Sequence, residues 1–278
     1  MSGGTRHDGS DASASGPGRA STCLLVSTSR AADAGFLTLA DLAHITTSLD
    51  LDYRIVGGHM VTLLVALHGV SAQVPMRETA DADFAALPTV IADPRLPAAL
   101  IERGYRSREA ANRFARDTDD PDGQLSLVID ILAPSYQGAL VPNQRHGDLV
   151  VDEVPGLILA LHRPAELLDV RVQLTSGVDL SLRLALPDVT SALCLKAVAY
   201  RGRFAAKDAV DLWRLIHAAY AAGLRAADWP TSVTGRQAAD VLHRFFGTPA
   251  AAGLKQMSAN SADRTRMQAL VRQVVSAR

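Results

Sequence analysis

The chain has 278 residues, and 28 Lys plus Arg stand against 29 Asp plus Glu, a formal charge of −1. That balance argues against a wholesale polyanion binder while leaving room for a local basic patch, and the length allows one large domain or two small ones. Two cysteines, Cys23 and Cys194, supply neither a metal-ligand cluster nor a disulfide framework and suit a reducing cytosol. No apolar run approaches the roughly 18 residues of a membrane span, and Met1–Ser21 lacks the apolar core of a secretory signal. A soluble cytoplasmic protein is expected.

In chain order, residues 1–21 are Ser, Gly, Asp and Ala without hydrophobic period, which predicts a disordered tail. Residues 27–34 read as a loop, 37–49 as an amphipathic helix, and 53–56 as a short strand closed by Gly57-Gly58. An apolar helix is expected over 59–67 and an alternating strand over 79–84, with Ala80 and Ala82 on one face and Asp81 and Asp83 on the other. Asp93-Pro94 opens a helix to about Arg103. Strands follow at 113–115 and 124–132, the second alternating Leu125, Leu127, Ile129 and Ile131 against Ser126, Val128 and Asp130. Residues 134–145 read as a loop, and strands are expected at 149–154, 170–175 and 178–184. Beyond Pro187 the pattern is helical, at 189–200, 207–222, 235–246 and 262–277. The fold class is therefore α+β: a mixed sheet flanked by helices over 22–186, then a mainly helical part over 187–278.

Three groups of residues carry possible chemistry. Asp81 and Asp83 share a strand face, about 7 Å apart along the chain, where their repulsion invites a hard cation with oxygen ligands such as Mg²⁺. Asp130 lies in a second strand between apolar neighbours; if the strands pair, three carboxylates converge and a two-metal site for phosphoryl transfer becomes possible. Gly57-Gly58 joins a strand to a helix start, whose free N–H groups can cradle phosphate. Lysine occurs only at Lys196, Lys207 and Lys255. On one continuous helix Lys196, Arg203, Lys207 and Asp211 would fall within about 80° of one another, a cationic stripe suited to a triphosphate. Taken singly, each group also fits a structural role: solvated strand carboxylates, an ordinary strand-to-helix turn, a solvated helix face.

Together these residues resemble a known family. Ile55-Val-Gly-Gly-His59, Arg77-Glu-Thr-Ala-Asp-Ala-Asp83 and Val128-Ile-Asp-Ile-Leu132 look like the metal-binding core of minimal nucleotidyltransferases with the DNA polymerase β-like fold. Lys196-x-x-Ala199-x-x-x-Arg203-x-x-x-Lys207-Asp208-x-x-Asp211-Leu212 looks like the second signature of the AbiEii/MenT toxin branch. The resemblance covers roughly residues 37–220. It implies that Asp81, Asp83 and Asp130 bind Mg²⁺ and that Asp130 helps activate the acceptor hydroxyl. Gly57 and Gly58 would hold the nucleotide phosphates, and Lys196, supported by Arg203 and Lys207, would contact the triphosphate. Asp211 would orient the basic residues, and Arg77 and Thr79 would brace the metal strand. His59 stands where relatives carry a small hydroxyl residue, with Thr62 one turn on as the available hydroxyl.

The implied activity is transfer of a nucleoside monophosphate from an NTP to the tRNA 3′ end, as the toxin of a toxin–antitoxin pair with a cognate antitoxin protein as partner. Arg103, Arg106, Arg108, Arg113 and Arg116 lean towards a tRNA surface. The alternatives are a small-molecule nucleotidyltransferase of the antibiotic-modifying type, which would need an acidic pocket for a cationic substrate, and a degenerate fold used as a binding module. A CCA-adding enzyme is disfavoured, because Met60–Leu64 is apolar where those enzymes carry an Arg-Asp pair.

Overall fold

A computed structural model of the chain describes residues 21–108, 110–118 and 124–277. The tail expected over 1–21 lies outside these residues except for Ser21, which opens a strand. The fold is α+β, with two sheets and a helical C-terminal half.

The small sheet has the order β1 (Ser21–Val26), β9 (Glu166–Gln173), β10 (Asp179–Leu186), with β1 parallel to β9 and β10 antiparallel to it. The large sheet runs β2 (Tyr53–Val56), β3 (Asp81–Ala86), β6 (Leu125–Ser135), β5 (Ala110–Thr118), β4 (Arg106–Arg108). Off this path, β8 (Leu149–Pro155) pairs with β6, and β7 (Val141–His146) pairs with β8. Strand β6 is parallel to β3 on one side. On its other side it changes partner along its length, pairing with β5 as far as Asp130 and with β8 from Leu132. A sheet whose strands part in this way leaves a crevice at the fork, the usual place for a ligand in an open sheet.

Helix α1 (Arg30–Leu49) begins where Ser29 accepts a hydrogen bond from the Ala32 amide and ends at Asp50 in the left-handed conformation. The loop expected over 27–34 therefore shrinks to Ser27–Ser29, because a serine cap starts the helix about two turns earlier than its hydrophobic period suggests. Helix α2 (Gly57–Leu67) starts at Gly57, two residues before its apolar run. Short α3 (Pro88–Ile91) and α4 (Arg95–Glu102) lead back into the sheet. The loop expected over 134–145 is mostly strand: β6 continues to Ser135 and β7 begins at Val141. Its Pro, Asn and Gln belong to an outer pair where one register shift relaxes the pairing.

After the short α5 (Leu157–His162) and the small sheet come α6 (Val189–Arg203), α7 (Ala206–Ala221), α8 (Val233–Phe246), α9 (Ala252–Met257) and α10 (Ser261–Val274). Asp188 caps α6 by accepting from the Thr190 and Ser191 amides. Helix α7 packs on α2 and on α6, so the helical half reaches back to the strand-to-helix turn at Gly57. One apolar cluster runs from Cys23 to Val275 and joins both halves. No helix among the described residues is long and apolar enough to cross a membrane.

Candidate active site

The period of two in β3 buries Ala82 and Phe84 and leaves Asp81 and Asp83 partly exposed on the opposite face. In the parallel register Asp83 lies directly beside Asp130 of β6. Paired residues of neighbouring strands project from the same face, so the two carboxylates share it with Asp81. This is the residue at which β6 exchanges β5 for β8, and a cleft of about 610 Å³ opens there. Its walls include Gly57, Asp83, Asp130, Asn112 of β5, and Lys196 and Arg203 of α6. The carboxyl of Asp83 is pushed up to about 6, first by burial and then by the negative charges of Asp81 and Asp130; Lys196 and Arg203 pull the other way.

A counter-ion from β5 completes the acid group. Arg113 is the antiparallel neighbour of Asp130 and grips it with two hydrogen bonds, Nε to Oδ1 at 2.9 Å and Nη2 to Oδ2 at 2.7 Å. The same Nη2 stands 3.5 Å from Asp81 Oδ2. Asp81 and Asp130 are thus bridged by one guanidinium. Among the described residues no three carboxylate, histidine or cysteine side chains form a ready metal cage. The donor set nevertheless fits a hard divalent cation: the donors are carboxylate oxygens, a positive group already sits between two of them, and like-charge repulsion from Asp81 and Asp130 raises the pKa of the third.

The two glycines adjoin this group from α2. Gly57 has φ +67°, and a Cβ there would run into the Asp83 carboxylate. A Cβ on Gly58 would strike the Thr79 hydroxyl and the Arg77 guanidinium. No side chain caps the amides of the first turn of α2, so they remain available to an anion. Arg77 Nη1 donates to Thr79 Oγ1 at 3.3 Å and to Asp211 Oδ1 at 3.3 Å, tying the loop before β3 to α7.

Asp211 is fully buried and accepts from Lys196 Nζ at 2.7 Å, with Arg214 Nη1 at 3.8 Å. Asp208, equally buried, receives Arg203 through two hydrogen bonds at 3.1 and 3.0 Å and lies 3.7 Å from Lys196. The stretch is two helices, close to the 189–200 and 207–222 expected, and not the one continuous helix on which the cationic stripe is projected. Helix α6 ends at Arg203, Phe204 turns into the left-handed region with φ 48°, and α7 starts at Ala206. The cations of α6 and the acids of α7 meet because the helices pack together, not because they share one stripe. Lys207 is exposed, does not line the cleft, and makes no ion pair with a described residue.

Thus Gly57, Gly58, Arg77, Thr79, Asp81, Asp83, Asp130, Lys196, Arg203 and Asp211 form one connected group, and Lys207 stands outside it. Asp211 does not line the cleft; it holds Lys196 from behind. His59 does not line the cleft. It is buried, its ring lies 5.7 Å from that of Phe36, and burial lowers its pKa to about 4, so it is neutral. Thr62 accepts from Arg214 Nη2 at 3.1 Å and lines a separate cavity of about 260 Å³, so it does not supply a hydroxyl to the cleft.

The five arginines expected to offer an open basic surface use donors within the fold. Arg103 and Arg116 both bind Asp41, Arg108 binds Asp117, Arg106 donates to the carbonyls of Ile101 and Tyr105, and Arg113 grips Asp130. Asp208 stood in the second signature without a role of its own, and Arg214 went unweighted because nothing local marks a helix residue as facing a buried pair. The role of Arg113 had a usable signal: Asp120-Pro-Asp-Gly123 between two strand patterns suggests a hairpin, and the register that pairs Thr118 with Leu125 sets Arg113 opposite Asp130. Set against known proteins, the chain matches no family model and no curated protein.

Proposed function

We propose that the chain is a Mg²⁺-dependent nucleotidyltransferase that moves a nucleoside monophosphate from an NTP to a hydroxyl acceptor. The observation that carries this reading is the joining of three distant segments around one cleft. The strand acids 83 and 130 form one side with Asp81 next to them on β3, the uncapped helix start at Gly57-Gly58 adjoins Asp83, and the cations Lys196 and Arg203 line the same cleft. A triphosphate needs donors and cations along its length and a site for developing charge at one end, and these residue types supply both.

In this reading the amides of Gly57 and Gly58 and the side chains of Lys196 and Arg203 hold the phosphates. The acceptor hydroxyl oxygen attacks the α-phosphorus, the bond to the β-phosphate oxygen breaks, and pyrophosphate leaves. Asp130, on the neighbouring strand, takes the hydroxyl proton. A divalent ion held by Asp81, Asp83 and Asp130 would neutralise charge on the phosphates and the leaving group. Asp211 keeps Lys196 aimed, and positioning supplies the remainder of the rate.

The acceptor we propose is the tRNA 3′ end, and the biological role that of a toxin held in check by an antitoxin protein. Both rest on the resemblance of the Lys196–Asp211 signature. The test is a panel of α-labelled NTPs, Mg²⁺ and total tRNA, with Asp81→Ala as the control. Label in tRNA, reduced at least about a hundredfold in Asp81→Ala with an unchanged circular dichroism spectrum, is the expected result. Transfer to small hydroxylated molecules only would replace the acceptor; no transfer and no pyrophosphate with any NTP would end the reading.

A further inference from the structure

We propose that Arg113 is a built-in counter-ion that closes the acid cluster of the metal-free protein and gives way when a divalent cation loads, so that this one residue sets the cation concentration at which the site fills. The inference rests on the metal-dependent reading above and adds to it a residue outside both signatures.

Register places Arg113 by construction. The antiparallel pairing of β5 and β6 puts it opposite Asp130 on the face that carries the acids. Its guanidinium spans the cluster, gripping Asp130 through a fork of 2.9 and 2.7 Å and reaching Asp81 at 3.5 Å. Forked guanidinium–carboxylate pairs are the strong, geometrically demanding class of ion pair. Both Asp130 oxygens are therefore already hydrogen-bonded, and one Asp81 oxygen faces the same charge. The guanidinium takes one lone pair of each Asp130 oxygen and its positive charge repels an incoming metal ion, so the two cations compete for Asp130 and Asp81.

The competition is reversible because the pair is not entombed. The Arg113 side chain is 35% exposed and that of Asp81 45%, whereas Asp130 is 11% exposed. Arg113 can swing outward into solvent at little desolvation cost, and Asp130 stays behind in the cleft. A divalent ion carries twice the charge in a smaller volume and so displaces one guanidinium from a cluster of three acids. Without any cation the cluster would repel itself across two strands, and Arg113 relieves that repulsion. The residue thus stabilises the empty site and weakens its hold on metal, two effects that a single substitution reverses together.

The experiment measures Mn²⁺ binding by isothermal titration and thermal melting in metal-free buffer and in saturating Mn²⁺, on the full chain. Wild type is compared with Arg113→Gln, Arg113→Lys and Arg108→Gln. Arg108 lies in the same sheet but pairs with Asp117, so it controls for long-range charge. Arg113→Gln is expected to bind Mn²⁺ at least tenfold more tightly, to melt below wild type without metal, and to match or exceed it with metal. Arg113→Lys keeps the charge and loses the fork, and falls between the two. Arg108→Gln shifts affinity less than threefold. Folded Arg113→Gln or Arg113→Lys with unchanged or weaker Mn²⁺ binding overturns the inference and makes Arg113 a fixed strand-to-strand clasp. If wild type and every variant fail to bind Mn²⁺ at millimolar concentration, the metal-dependent reading itself falls, an outcome plainly different from equal binding.

Discussion

Gly57 concentrates in one residue what the cleft requires. Its φ of +67° lies where a side chain costs about 1–2 kcal/mol, and the space a Cβ would fill belongs to the Asp83 carboxylate. Both constraints have one origin: the chain must turn from β2 into α2 while the helix amides stay beside the acids. Gly57→Ala therefore forces either the backbone or Asp83 to move. The expected outcome is a loss of about 2–4 kcal/mol in urea unfolding and a loss of nucleotidyl transfer at temperatures where the variant remains folded. A variant with wild-type transfer would show that the turn can relax without disturbing the acids. Gly58 is constrained differently, by the close approach of Thr79 and Arg77 rather than by its own dihedral angles.

At the scale of elements, α6 and α7 act as a pair clamped by buried charge. Lys196, 6% exposed, is held between two acids that have no exposure at all, and Arg214 crowds the same carboxylate. Such a group is costly to break and cheap to replace whole. Asp211→Ala leaves Lys196 and Arg214 buried without their shared partner and is expected to cost about 3–5 kcal/mol. Adding Lys196→Met to Asp211→Leu is expected to recover about half of that stability and none of the transfer activity. Recovery of both would remove Lys196 from the chemistry. The same pair shows how far the sequence is legible. Alternation in 79–84 and 124–132 revealed which face carries Asp81, Asp83 and Asp130, because a period of two is a local property. A break between these helices was legible, since the expected helices end at 200 and resume at 207; its exact place was not, because Gly202 is the residue that invites a break and a phenylalanine carries no mark of the left-handed conformation it adopts at 204. The partners of the acids are less local: Arg113 with Asp130 follows only once the register of the hairpin is fixed, and Arg203 with Asp208 only once two helices are packed together.

For the whole molecule, the shared apolar cluster implies that the cleft has no hinge of its own. The sheet supplies the acids and the helical half supplies Lys196 and Arg203, yet residues from Cys23 to Val275 belong to a single packed cluster. α2 lies against both β3 and α7, so opening the cleft by separating the halves would expose the buried face of that helix. Burial on that scale makes local opening nearly as unfavourable as unfolding, and one cooperative transition is the expected result. The chain carries its own reporters. Both tryptophans, Trp213 and Trp229, lie in the helical half and are buried, while far-UV circular dichroism reads helices and strands throughout. Tryptophan fluorescence and circular dichroism should therefore give the same urea midpoint, within about 0.2 M, since one transition has one midpoint whichever probe reads it. Substituting the buried Leu64 of α2 by Ala should lower both midpoints together, by the equivalent of about 2–4 kcal/mol. A fluorescence transition that precedes the dichroism change, or a Leu64→Ala effect confined to one probe, would show instead that the half carrying Lys196 moves independently of the acids it faces.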